Sequence, residues 1–342
     1  MKLFCAKTFK IRTPVVAYLL ITDKCNMRCR YCFVDCSKKK EELSTPEWLG
    51  LIDELAKRGV RQICLMGGEP TLHPDFETIV DKIVSLGISC DTTTNGVLAE
   101  KKLSAMKKLN SVMVSLDGSR EAHDSNRKTT GGGGTFDTTL NAIKLLRKEG
   151  VTTRINAVMT KQSAKDIDFL LGLAEELDLY VTFSLTADFP EHAQNEADEI
   201  MLSPDEIRQL YRDLKKRNGK DSRILFSNEA LDFVINYPLP HKEVIWKEDK
   251  EHASFYPHVC PFGRAMFYVD SDGGFFPCAT LWNSPRFKPV NYRKEGFDAA
   301  FNGMEPLPCR TCFCPGIPDW NRVSSAAGFL DGLRITLRQA LK

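Results

Sequence analysis

The chain has 342 residues, 42% hydrophobic and 27% charged, which is enough apolar content to bury one barrel-sized core and a smaller one. Lysine and arginine number 47 against 45 aspartates and glutamates, so the balance gives no reason to expect nucleic acid as a partner. No apolar run reaches membrane-spanning length and the first twenty residues lack a signal-peptide layout; a cytoplasmic protein is expected, and of its twelve cysteines the clustered ones are expected to serve metal or redox chemistry rather than disulfides.

From about residue 15 to residue 217, short β-branched apolar runs alternate with amphipathic helical stretches, the pattern of a parallel sheet with crossover helices. Strands are predicted over 15–21, 62–66, 89–93, 112–116, 153–158 and 180–185. Helix starts are marked by Ser44-Thr45-Pro46-Glu47 and Ser203-Pro204-Asp205-Glu206, each a serine cap with proline and a glutamate three residues on. Gly59, Gly87 and Gly150 stand where helices should stop, and a helix is expected from near Phe136. Six strand-helix units predict an α/β fold, an open or incomplete barrel of partial (β/α)6 TIM type, with its site at the carboxyl ends of the strands. After residue 217 the alternation stops. A segment rich in proline, aromatics and cysteine follows, then a helical stretch running to Lys342. The division expected is a barrel over 1–235 and a smaller cysteine-rich domain over 236–342.

The first strand is followed by Cys25-Asn26-Met27-Arg28-Cys29-Arg30-Tyr31-Cys32, a Cys-x3-Cys-x2-Cys loop. Three thiolates leave one iron of a four-iron cubane without a protein ligand and open to a small molecule. A structural zinc ion is the competing reading, with Cys36 as fourth ligand. After the second strand comes Met66-Gly67-Gly68-Glu69-Pro70, where two glycines permit close backbone approach to a ligand and a carboxylate can accept from an ammonium group. Asn95-Gly96 ends the third strand and Ser115-Leu116-Asp117-Gly118 the fourth, so hydroxyl, amide and carboxylate groups reach the sheet mouth, where Asn95 and Asp117 also suit plain turn and loop-capping roles.

The second cysteine set is Cys260, Cys278, Cys309, Cys312 and Cys314. Residues 260–278 read as two strands joined at Asp272-Gly273, a hairpin that brings Cys260 and Cys278 together, with Cys309 and Cys312 positioned to complete a site. Five cysteines stand for four ligand positions, which leaves Cys312 or Cys314 surplus, and a zinc ribbon is the alternative. Cys5, Cys64 and Cys90 have no partner spacing; Cys64 and Cys90 read as buried small hydrophobes.

The first 220 residues or so resemble the radical S-adenosylmethionine (SAM) superfamily, through the spacing of Cys25, Cys29 and Cys32, the aromatic Tyr31 before the last of them, and Gly67-Gly68-Glu69-Pro70. The resemblance implies a [4Fe-4S] cluster on the three cysteines, SAM chelating the open iron through its amino and carboxylate groups, and reductive cleavage to a 5′-deoxyadenosyl radical. It places the methionine amino group at Gly67 to Pro70 and further SAM contacts at Ser115 and Arg127, with Asn156 and Leu185 as weaker positions near ribose and adenine. The C-terminal cysteines resemble the start of a SPASM domain. With no cysteine after Cys314, the shortened twitch form is implied, holding one auxiliary iron-sulfur cluster, of [4Fe-4S] type.

The function expected is a SAM-dependent radical oxidoreductase acting on a peptide or small molecule, with the auxiliary cluster accepting the electron and a flavodoxin or ferredoxin as donor. Only about twenty residues precede the cysteine loop, so any fused peptide-recognition domain is expected to be a separate protein. The alternatives are a redox-neutral epimerase or rearrangement enzyme, in which a cysteine returns hydrogen to the product radical, and a non-catalytic iron-sulfur or zinc scaffold. No base is assigned: Asp188 and His192 follow the sixth strand but read better as solvated groups.

Overall fold

Six parallel strands form close to the predicted positions: β1 (Val16–Leu20), β2 (Gln62–Met66), β3 (Ser89–Thr94), β4 (Ser111–Ser115), β5 (Thr153–Met159) and β6 (Tyr180–Leu185). The computed structural model describes residues 12–34, 40–186, 197–219, 222–241, 243–255, 260–282 and 284–323; Cys5, Cys36, Asp188, His192 and the stretch expected to be helical after residue 323 lie outside these. Between the strands run α1 (Thr45–Lys57), α2 (Phe76–Ser85), α3 (Arg120–Asn126), α4 (Phe136–Lys148) and α5 (Ile167–Glu176), followed by α6 (Pro204–Arg217) and α7 (Asn228–Ile235). Both serine-glutamate caps form, with Ser44 N–H and Ser203 N–H each donating to its glutamate at 2.7 Å. Gly59, Gly87 and Gly150 all have φ between 67° and 80°, where a β-carbon would be strained.

Strand alternation divides the sheet into two faces. Ile63, Leu65, Val112, Val114, Ile155, Ala157, Val181 and Phe183 are fully buried. They meet amphipathic helices, such as α1 with Trp48, Leu51, Ile52 and Leu55 and α2 with Phe76, Ile79, Val80 and Ile83. The residues between them on the strands, including Tyr18, Cys64, Met66, Asp91, Thr93, Arg154, Asn156 and Ser184, are only partly covered and line the lumen. Cys90 is buried as expected. Cys64 is not a core hydrophobe, because strand parity puts it on the lumen face, where it is half-buried.

The cysteine-rich segment joins the same sheet. β7 (Met266–Val269) runs parallel to β1, with Val16 opposite Met266 and Tyr18 opposite Tyr268. It turns at Asp270 to Gly273 into the antiparallel β8 (Gly274–Phe276), with Gly273 at φ 90°, which is the hairpin the sequence led us to expect. With β9 (Val290–Asn291) the order is β9-β8-β7-β1-β2-β3-β4-β5-β6. At the far edge, residues 223–225 hydrogen-bond to Val181 of β6. The helices α8 (Tyr292–Asn302) and α9 (Gly316–Val323) complete the described chain. Helix α9 touches both ends of the barrel strands: Asp319 accepts from Ser227 N–H at 3.2 Å on the β6 side, and Trp320 packs against the Val15, Val16, Ala265 and Met266 cluster on the β1 and β7 side.

Candidate active site

The Gly-Gly-Glu-Pro loop is tied to the start of the cysteine loop. Gly68 N–H donates to Thr22 C=O and Glu69 N–H to Lys24 C=O, both at 2.8 Å. A β-carbon on Gly67 would collide with the Thr22 carbonyl, and one on Gly68 would lie 2.6 Å from the carbonyl oxygens of Asp23 and Lys24. The glycines therefore admit the chain's own backbone, a closer reason for them than approach to a ligand. Pro70 starts a short 3-10 turn that Glu69 caps.

Glu69 is 1% exposed and its carboxylate is held by four donors: Thr71 N–H at 3.2 Å, Thr71 Oγ1 at 2.5 Å, Thr94 Oγ1 at 2.8 Å and Asn95 N–H at 2.8 Å. Burial pushes its pKa up, and these donors oppose the shift by favouring the ionised form. Asn95 also donates to Asn26 Oδ1 in the cysteine loop at 2.8 Å and accepts from Val97 N–H at 3.0 Å, which makes it a turn residue that braces the loop.

A second brace was invisible in the sequence. Met27–Cys29 pairs antiparallel with Arg127–Thr129, so that Cys29 lies opposite Arg127. The Arg127 guanidinium, 7% exposed, donates from Nε to Asp117 Oδ2 at 3.0 Å, directs Nη1 at Cys29 Sγ at 3.8 Å, and sits 5.3 Å from the centroid of the Tyr31 ring. Tyr31 O–H donates a short hydrogen bond to the same Asp117 oxygen. Burial works against the Arg127 charge, but Asp117, Tyr31 and Cys29 hold its pKa well above the usual value.

Asp117 is fully buried and its other oxygen accepts from Val158 N–H at 3.1 Å, so its carboxylate organises Arg127 and Tyr31. Its own N–H donates to His123 Nδ1 at 3.3 Å, which leaves the proton on Nε2 to face Thr135 Oγ1 at 3.1 Å. Burial lowers the His123 pKa to about 4 and keeps the ring neutral. Ser115 ends β4 in register with Asn156, whose side chain accepts from Ser184 at 2.7 Å; Leu185 ends β6, half-buried.

Two carboxylates and a lysine connect this region to the cysteine-rich segment. Lys40 Nζ lies 2.5 Å from Asp270, in the hairpin turn, and 3.7 Å from Asp23 beside the cysteine loop, with its ammonium 5.7 Å from the Trp282 ring centroid. Farther along, Cys260, Cys278, Cys309 and Cys312 all interact electrostatically with one another. Burial followed by the neighbouring thiols pushes Cys260, Cys278 and Cys309 up, Cys309 to about 11, and burial alone raises Cys312. Cys314, raised to about 12, faces only Cys312 among these cysteines. Thiols whose ionised form is disfavoured by burial and by one another are a donor set that cationic iron would relieve. Among the described residues no three His, Cys, Asp or Glu side chains form a group that could hold a metal ion.

Residues 19–174 match the profile of the Radical SAM superfamily. The AdoMet-dependent heme synthase of Methanosarcina barkeri is 30% identical over 274 residues, covering 76% of this chain and 75% of that protein. The chain belongs to the radical SAM superfamily. Fe-coproporphyrin III synthase of the same organism is 34% identical over 49% of this chain, though the match spans only 42% of the relative's length. PqqA peptide cyclase of Rhizobium meliloti is 24% identical, covering 89% of this chain and 80% of that one. In fold the chain is similar to Streptococcus suis SuiB bound to S-adenosylmethionine, with a TM-score of 0.67 and 19% identity, covering 91% of this chain and 74% of that one. The fold is the expected α/β one, a partial barrel of parallel strands with a cysteine-rich C-terminal segment added to its sheet. Among the described residues no helix is long and apolar enough to cross a membrane.

Proposed function

We propose that the protein is a SAM-dependent radical oxidoreductase of the cytoplasm, with its SAM chemistry on residues 1–235 and an auxiliary-cluster domain on 236–342. When bound and reduced, a [4Fe-4S] cluster on Cys25, Cys29 and Cys32 supplies reductive cleavage of SAM to a 5′-deoxyadenosyl radical. Glu69 would accept from the SAM ammonium. Of the Arg127 fork, Nε is engaged by Asp117 and Nη1 by Cys29, which leaves Nη2 for the SAM carboxylate. Ser115, Asn95 and Asn156 offer hydroxyl and amide groups at the mouth, while Tyr31 and Asp117 hold Arg127 in place.

For the auxiliary cluster we propose Cys260, Cys278, Cys309 and Cys312 as ligands, with Cys314 the surplus cysteine. The mutual coupling of the first four supports this choice. Such a cluster would take the electron left on the substrate after hydrogen abstraction, and a flavodoxin or ferredoxin would supply the reducing electron at the first cluster. Relatives named as a peptide cyclase and a heme synthase support peptides and small molecules alike as candidate substrates.

The observation that carries the proposal is the placement of Arg127 on Cys29 by the short antiparallel ladder, beside a Glu69 loop strapped to the same cysteine loop. The test is anaerobic reconstitution with iron and sulfide, then dithionite and SAM, reading 5′-deoxyadenosine against a Cys25→Ala, Cys29→Ala, Cys32→Ala variant. The intact chain should form it and the variant should not; a fully loaded intact chain that forms none, with substrates of either class present, removes the proposal.

One observation favours a second reading. Cys64 faces the lumen, and its thiol is pushed up to about 12 by burial and by Asp91, so it stays protonated and able to return a hydrogen atom to a product radical, the thiyl left behind being restored by one electron from the external donor and one proton from solvent. Solvent deuterium appearing in product, and lost with Cys64→Ser, would select this reading over net oxidation.

A further inference from the structure

One cation in the lumen takes no part in the site described above. Arg154 lies on the inward face of β5, two residues before Asn156, and is half-buried. Other half-buried arginines are paired: Arg58 lies 2.6 Å from Asp298 and Arg264 lies 3.0 Å from Glu305. For Arg154 no hydrogen bond, ion pair or ring contact is present among the described residues.

Its surroundings form a cleft of about 1130 Å³ at the amino-terminal foot of the barrel, roofed by α9, with Ser227, Asp319 and Trp320 also in the lining. Asp319 spends one oxygen on Ser227 N–H, and its other oxygen is buried with no hydrogen-bond partner. Trp320 adds an apolar wall. With a rise of about 3.3 Å per strand residue, Arg154 lies roughly 7 Å below the layer of Asn156 and Ser115, within reach of one extended ligand.

Glu229 and Arg322 also line this cleft, but neither pairs with Arg154, and a guanidinium without an ion pair among the described residues selects a carboxylate, which it can hold by two parallel hydrogen bonds. We infer that this cleft admits the substrate and that Arg154 binds a carboxylate on it, while Asp319 takes an N–H or O–H of the same molecule and the reacting carbon extends up the lumen. The assignment rests on the radical chemistry proposed for the mouth of the barrel. It places Arg154 as a residue that sets substrate class.

The test is calorimetric titration of the reconstituted protein with two pairs of probes. One pair is coproporphyrin III and its tetramethyl ester; the other is an acetylated, amidated pentapeptide with two glutamates and its glutamine counterpart. At least one carboxylate probe should bind tenfold or more tightly than its neutral partner, and the pair that discriminates identifies a small-molecule or a peptide source. Arg154→Gln should abolish that preference and Arg154→Lys should restore part of it. Equal binding of charged and neutral forms, no binding by any probe, or a preference that survives Arg154→Gln overturns the inference. If Arg154→Gln does not fold, Arg154→Lys against wild type decides, with a preference unchanged in Arg154→Lys counting against it. SAM cleavage by the wild-type chain is read separately, so its failure would strike the proposed chemistry and leave this binding result standing.

Discussion

The two cysteine sets are supported in opposite ways. Cys25, Cys29 and Cys32 are partly exposed on one loop, and what fixes them comes from elsewhere in the chain: the ladder from Arg127–Thr129, the Asn95 side chain and the Gly67-Gly68 backbone. Cys260, Cys278, Cys309 and Cys312 are gathered from three distant stretches into a pocket that disfavours their ionised forms. The rigidity of the first loop is borrowed from neighbouring strands. All seven side chains are partly exposed, so the difference lies in where the support comes from and not in burial. Lys40, between Asp23 and Asp270, is a charged contact between the two regions.

If the first set is braced from outside, removing the brace should cost more than removing a thiol neighbour. Asp117→Asn leaves Arg127 buried without its counter-charge; breaking a buried pair in this way costs about 3–5 kcal/mol, and SAM affinity should fall with it. Denaturant unfolding of the anaerobic protein and equilibrium SAM binding measure the two effects.

Next in size is a pH effect through His123. Its folded pKa, near 4, lies below the ordinary 6.5, so its contribution to stability is complete above about pH 6.5 and is lost as pH falls through 4. The loss is about 3 kcal/mol, seen as a falling Tm over that window and absent in a His123→Gln variant.

Gly68→Ala should destabilise by about 1–3 kcal/mol through overpacking against the carbonyls of Asp23 and Lys24, and lower the iron bound at the first set more than at the second. Smallest of all, Cys314→Ser should leave iron content unchanged while Cys312→Ser removes the auxiliary cluster; the reverse result exchanges their roles. Iron and sulfide analysis on chains lacking the first three cysteines reads this directly.

The barrel was legible because its strands and helices are periodic and locally capped: the six strand predictions fall within a residue or so of those observed. The cysteine loop and the Glu69 turn were legible as local patterns. Pairings between distant segments were not. No periodicity announces that three residues around Arg28 form a ladder with three around Lys128, nor that Trp320 reaches Val16. Cys64 looked like a core residue because its neighbours Ile63 and Leu65 are core residues, and only strand parity within the folded sheet turns it to the lumen. Arg154 was passed over for a similar reason: an arginine in a strand reads as solvated until the sheet curves around it.

The pairing of β1 with β7 also bears on how the chain comes together during synthesis. Val16 is made 250 residues before its partner Met266, so one edge of β1 stays unsatisfied while the chain between them emerges. Strands β1 to β6 can pair in order as each is completed, but the β1 edge waits for the hairpin that carries Cys278. Closing so long a loop late makes this a slow, non-local step. The unpaired edge is therefore exposed longest where cysteine-rich chain is still arriving, and truncation or slow translation after residue 235 would leave a sticky, half-built sheet.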